Sequence, residues 1–187
     1  KKYNNSFIVS PTLFDKKQNV SDNSGNFPEK YLYKTPIIFD GDICAETVLG
    51  SIIMFKREDI IKIGLYDENL FLYFLDDELC KRIRNKKKAV IQVLSAKATH
   101  DHGQIKVKNP IKRTFLRNFN FTFDELYYFY KIKKHEKLFN QLSNKVPKYF
   151  IKTLINLIVL RPNKAVYFLS KILAFYKFKK LLTKNNI

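Results

Sequence analysis

Apolar positions run in short β-branched bursts over the first half of the chain and at helical spacing over the second. Asn5–Pro11 (NSFIVSP) predicts a short buried strand entering a turn. Asp15–Lys30 is polar, holds Ser24-Gly25-Asn26 and Pro28, and predicts a surface loop. Thr47–Phe55 (TVLGSIIMF) has the apolar, β-branched look of a central strand, with Gly50 permitting close backbone approach. Lys56–Gly64 predicts a short helix with Ile60, Ile61 and Ile63 apolar and Gly64 as its stop. Leu79 and Ile83 set a helix over Asp77–Lys88, and Ala89–Leu94 (AVIQVL) a strand. From Pro110 the pattern is helical. Phe115–Lys134 is aromatic and basic, with Thr122 and Glu125 at capping-box spacing. Helices over Pro147–Leu160 and Asn163–Leu182 follow, the second with Val166, Leu169, Ile172, Leu173 and Tyr176 along one stripe.

Between the two halves lies Gly64–Arg84 (GLYDENLFLYFLDDELCKRIR), where an aromatic run meets Asp76, Asp77 and Glu78 in succession. Acidic residues at a helix start satisfy orphan amides and complement the dipole, which is the plain reading of the triplet. Three adjacent carboxylates behind buried aromatics also repel one another unless a proton, a metal or a hydroxyl donor is near, and that arrangement suits a general base. Asp40-Gly41-Asp42 spells D-x-D, but turn preferences favour an acidic turn there.

Composition sharpens the division. The chain has 187 residues, long enough for a real core, and 45% hydrophobic content argues against disorder. Its net charge of +18 is uneven: residues 1–80 hold 9 Lys/Arg and 13 Asp/Glu, residues 81–187 hold 26 and 4. A basic half of that kind wants an anionic partner. Cys44 and Cys80 have no CxxC or zinc-finger spacing, and Cys80 reads as a small buried hydrophobe; a reducing, cytoplasmic location fits. No uncharged stretch approaches the eighteen or so residues that span a bilayer, so the basic helices are expected to lie on a membrane surface or to pack on the domain.

Gly64–Arg82 also resembles family 2 glycosyltransferases, above all the rhamnosyltransferase-like bacterial members, whose segment reads G-G-F-D-E-x-F-F-L-Y-x-E-D-x-D-L-C-x-R. Gly64, Asp67, Glu68, Phe71, Leu72, Tyr73, Asp76, Leu79, Cys80 and Arg82 coincide with it; Tyr66 stands for Phe and Glu78 for the last Asp. Leu65 and Leu75 depart from it, the latter at the acidic position before Asp76. The resemblance implies an α/β fold: a partial GT-A (nucleotide-diphospho-sugar transferase) fold lacking its N-terminal nucleotide-binding half, followed by amphipathic α-helices. Residues 1–105 would be the acceptor-side half and 106–187 the basic helical region, membrane-associated. The family's own D-x-D would precede Asn5–Pro11, outside this chain, which would make the chain an incomplete portion, inactive alone.

The same resemblance assigns roles. Asp76 would be the general base, with Asp77 the alternative if the register shifts by one; Asp67, Glu68, Asp77, Glu78 and Arg82 would support the acceptor side. His100, or else His102, would ligate a divalent Mn²⁺ or Mg²⁺ in the complete enzyme. The donor would be a nucleotide-diphosphate sugar, its binding residues mostly outside the chain. The acceptor would be a glycan or lipid-linked acceptor in bacterial cell-surface polysaccharide or lipopolysaccharide synthesis. The enzyme would sit in the cytoplasm on the inner face of the membrane, with an anionic membrane surface and no nucleic acid as partner. A different class stays open beside it: a non-catalytic basic protein that binds membrane or nucleic acid.

Overall fold

The computed structural model describes residues 6–17, 19, 41–100 and 107–185. The chain divides into two compact units, Lys1–Asp67 with Leu75–Gln104, and Glu68–Phe74 with Ile105–Ile187.

The first unit is mixed α/β. Strands β1 (Ser6–Phe14), β2 (Ile43–Ala45), β3 (Met54–Phe55) and β4 (Ala89–Thr99) form one sheet in the order β2-β4-β1-β3. The central pair, β1 and β4, is parallel, with Ile8 opposite Val90; the short edge strands are antiparallel to their neighbours. β1 continues past Pro11 rather than turning there. The ladder absorbs the missing proline N–H with an irregularity, since Pro11 faces Val93 while Thr12 faces Lys97. β4 likewise runs five residues beyond Leu94, through the small-residue stretch to Thr99.

Helices α1 (Arg57–Ile63) and α2 (Leu75–Asn85) complete this unit. Gly64 ends α1 as its sequence predicts, at φ +89°, donating its N–H to Ile60 and Ile61 carbonyls. The core gathers Ile8 and Val90 from the sheet, Ile60 from α1, and Leu79, Cys80 and Ile83 from one face of α2. Burying such side chains contributes roughly 1.5–3 kcal/mol each.

Two expectations fail here. Thr47–Phe55 is not a central strand: only Met54–Phe55 pairs in the sheet, at its exposed edge, and the preceding residues are irregular with a turn at Gly50–Ser51. Nor does α2 wait until Asp77; it begins at Leu75, so Asp76 lies in its first turn. The polar groups of the Thr47–Gly50 segment are met by carboxylates of α2 instead of by a neighbouring strand.

The second unit is three long helices, α3 (Pro110–Lys131), α4 (His135–Ile158) and α5 (Pro162–Asn185). Asn109 caps α3, its side-chain oxygen accepting from Ile111 and Lys112 N–H, with Pro110 in the first turn. Thr122 and Glu125 are therefore mid-helix and form no capping box, because the true cap stands over a full helical stretch earlier. α4 passes straight through Pro147, which the sequence offered as its start. The lost i→i−4 bond is a cost that tertiary packing overrides. α4 and α5 run antiparallel: Phe139 stacks on Phe175 at 5.0 Å, and Tyr149 meets Phe168 at 5.5 Å between centroids. Phe178, fully buried, is ringed by Phe123, Tyr130, His135 and Phe139.

The stripe expected on α5 is only partly its buried face. Ile172 is buried and Val166 half-buried, but Leu169, Leu173 and Tyr176 are exposed, and Ala165, Ala174, Phe175 and Phe178 complete the buried face instead. The small residues Ser170 and Ala174 are fully buried on this face.

Candidate active site

Each member of the acidic triplet has a different partner. Asp76 is half-buried and accepts the backbone N–H of Gly50. Its fit to that glycine is close: a Cβ on Gly50 would fall 1.8 Å from Asp76 Oδ1. Only glycine leaves room for the carboxylate to reach the amide. Asp77 accepts a hydrogen bond from the Thr47 hydroxyl at 2.9 Å, the hydroxyl donor that adjacent carboxylates call for. Glu78, 3% exposed, is bound by Arg82, whose Nε reaches both carboxylate oxygens at 3.0 and 2.9 Å.

Arg82 then extends across the end of α1. It donates through Nη1 to the carbonyls of Ile63 (2.7 Å) and Gly64 (2.9 Å), and through Nη2 to that of Leu65. Charge-assisted bonds of this kind are the stronger class. The spacing from Gly64 to Arg82 thus serves the fold: glycine turns the helix end, and arginine, oriented by Glu78, ties down its last carbonyls. Asp67 is half-buried and Glu68 exposed; Asp67 belongs to the first unit and Glu68 to the second.

Asp76 differs from its neighbours in proton affinity. Burial pushes its pKa above the ordinary carboxylate value, opposed by the Gly50 N–H. Desolvation is the cause, rather than repulsion from Asp77 and Glu78 as the triplet alone suggests. Tyr66 answers the same surroundings. Lost solvation, then the charges of Asp76 and Cys80, push its phenol up to about 12. Chemically, the arrangement is a half-buried carboxylate seated on the Gly50 amide and flanked by two carboxylates that are already engaged. It can take up a proton at higher pH than a solvated aspartate.

His100 follows the last residue of β4, its backbone N–H donating to the Phe14 carbonyl at 2.8 Å. It therefore stands at the C-terminal end of the parallel pair. His102 and Asp101 lie outside the described residues, as does Asp40. Asp42 accepts the N–H of Leu94 at 2.9 Å, and Gly41 turns at φ +111°, as an acidic turn does. Among the described residues no three His, Cys, Asp or Glu side chains gather as ligands, so these residues do not by themselves assemble a divalent-metal site around His100.

The aromatic run of the motif has a partner of its own. Asp124, fully buried in α3, accepts the backbone N–H groups of Phe71 (3.3 Å), Leu72 (2.9 Å) and Tyr73 (2.9 Å). Tyr73 and Phe74 pack edge-on and tilted against Phe121, and Phe74 stacks on Tyr128 at 5.4 Å. Sequence spacing does not assign Gly50 and Thr47 to the acidic triplet in the first unit, nor Asp124 to the aromatic run in the second. The only signal for them is a glycine and a threonine in an otherwise apolar run, and an aspartate inside an aromatic helix.

No protein-family model, no curated protein and no solved structure matches this chain.

Proposed function

We propose that this chain supplies the acceptor side of an inverting, family 2-type glycosyltransferase that uses a nucleotide-diphosphate sugar, with Asp76 as general base. The observation that carries the reading is Asp76 itself: a carboxylate of raised proton affinity, seated on the Gly50 amide, at the position where the motif's base falls. In the reaction an acceptor hydroxyl oxygen attacks the anomeric carbon and its proton passes to Asp76. The bond from that carbon to the diphosphate breaks, the electron pair leaves with the diphosphate, and the configuration inverts. Glu78 and Arg82 hold the loop after α1, and Asp77 fixes the Thr47 segment, so both keep Gly50 and Asp76 in register. A glycan or lipid-linked acceptor at the inner face of a bacterial membrane fits the basic second half. The Mn²⁺ or Mg²⁺ of the family would meet His100 in this chain, and no proton step depends on it.

The test is transfer of radiolabelled sugar by the complete enzyme from UDP-, dTDP- and GDP-sugars. Asp76→Asn lowers turnover by about 10²–10⁴-fold while donor binding persists. The acid limb of the rate profile lies above the ordinary aspartate range and rises with pH, because the base must be ionised. A larger loss in Asp77→Asn moves the base by one residue. No transfer from any of the donors refutes the reading.

A further inference from the structure

Loops between helices are normally polar, and a residue in left-handed backbone conformation is normally Gly or Asn. The turn between α4 and α5 breaks both rules. Leu160 sits there at φ +52° and is 86% exposed, and Ile158, the last residue of α4, is 81% exposed. Behind them Phe150, Ile151 and Ile155 on α4 are more than half exposed, and Leu169 and Leu173 open on α5. An exposed leucine in a strained conformation is disfavoured twice in water, by backbone sterics and by hydration.

The charge around this apolar end is of one sign. From Lys137 to Ile187 the sequence has 11 Lys/Arg and no Asp or Glu. Arg161 follows Leu160 directly and Lys164 comes soon after, and Lys148 lies about three helical turns before Ile158 on α4; all three are exposed. A second copy of the chain would bring these cations together, and exposed aliphatic side chains offer nothing to a nucleic-acid backbone. No helix among the described residues is long and apolar enough to cross a membrane, so any bilayer that takes up this end would hold it at the interface.

We infer that the α4–α5 turn is an insertion device for an anionic bilayer: Ile158 and Leu160 enter the acyl boundary while Lys148, Arg161 and Lys164 engage phosphate headgroups. This deepens the reading of a membrane-surface transferase by naming the attaching residues, but it stands on exposure and charge and does not need sugar transfer.

The full chain is titrated with phosphatidylcholine vesicles with and without phosphatidylglycerol. It binds the anionic vesicles and not the neutral ones. Ile158→Gln with Leu160→Gly binds about ten- to a hundredfold more weakly, while its thermal unfolding is not lowered, because glycine accepts the left-handed turn. Gln at Lys148, Arg161 and Lys164 weakens binding about fivefold per charge, and less at high salt. Leu160→Trp gives a blue-shifted emission on anionic vesicles only. Unchanged binding by the Ile158/Leu160 variant overturns the inference, as does equal binding to both vesicle types. So does a self-associated chain that ignores vesicles and becomes monomeric in that variant, which would make a second copy the occupant. Failure of sugar transfer leaves all these readouts intact, so the two readings fall separately.

Discussion

The sheet unit and the helical unit each set an aspartate in a helix against the backbone of another segment, and burial raises the pKa of both, yet the two carboxylates are held differently. Asp124 accepts three successive N–H groups from Phe71–Tyr73, and Lys177 lowers its proton affinity further; burial still raises its pKa overall. Asp76 is raised by burial too, but against a single amide. A carboxylate offers about four lone-pair sites. With three amides Asp124 is a structural tie for the aromatic run, and with one Asp76 keeps acceptor capacity for a proton. The units differ elsewhere too. The sheet unit has the ion pair Glu78–Arg82 and one lysine over a ring, Lys97 on Phe14, while the helical unit lays Lys177 on Phe119 and Phe123 and Lys171 on Tyr167 and Tyr149.

The comparison breaks most visibly at Asp124. Asp124→Ala leaves three backbone donors without their acceptor, and the chain should lose about 2–4 kcal/mol of unfolding free energy. Asp124→Asn, which keeps one acceptor oxygen, should lose less. Urea denaturation of both variants measures this. Equal stability of the alanine variant and the wild type would mean that the Phe71–Tyr73 segment is not tied to α3 in solution.

Asp76 should behave in the opposite direction. Its folded pKa lies above the unfolded value, so its favourable contribution is complete below the ordinary carboxylate range and is lost as pH rises through the raised value. Asp76→Asn removes that loss. The variant should be more stable than wild type at neutral pH, with the difference shrinking toward acid. Stability against pH by chemical denaturation, paired with the transfer assay, separates a functional carboxylate from a structural one. A variant that is destabilised at neutral pH would place Asp76 beside Asp124 as a tie.

Much of the sheet unit was legible in the sequence because its signals are local. Gly64 as a helix stop, the Ala89 strand and the Leu79–Ile83 face all follow from spacing. What spacing could not show was the partner. Thr47–Phe55 looks like a strand because its residues are apolar and β-branched, but its polar groups are satisfied by α2, about thirty residues away. Glu78 and Arg82 look like site residues and serve the end of α1. In the helical unit the propensity signals misplace the starts: Thr122 with Glu125 and Pro147 all sit inside helices, where packing around Phe178 outweighs them. The buried face of α5 was hidden because both its faces are apolar. That ambiguity is itself informative, since the face left over is the exposed stripe of Leu169, Leu173 and Tyr176.

The two cysteines sharpen the comparison at its finest scale, within the sheet unit. Cys44 is exposed on β2 and accepts from Arg84 Nη1 at 3.3 Å. Cys80 is 1% exposed in α2, and burial pushes its thiol up to about 12. The Val48 amide and the Thr47 hydroxyl oppose that rise, while the charges of Asp76 and Asp77 add to it. Only the thiolate reacts, and at pH 8 a group titrating near 12 is ionised in roughly one molecule in ten thousand. In the native chain an aromatic disulfide reagent should therefore modify Cys44 and leave Cys80, which reacts only as the chain unfolds in urea. Cys80 lies one helical turn from Asp76, under the same Thr47–Gly50 segment that seats the carboxylate. Its protection is thus a direct reading of whether that segment stays closed. If Cys80 were modified at the rate of Cys44, the segment would open in the native state. Asp76 would then be solvated and lose the raised proton affinity on which its proposed role as a base depends.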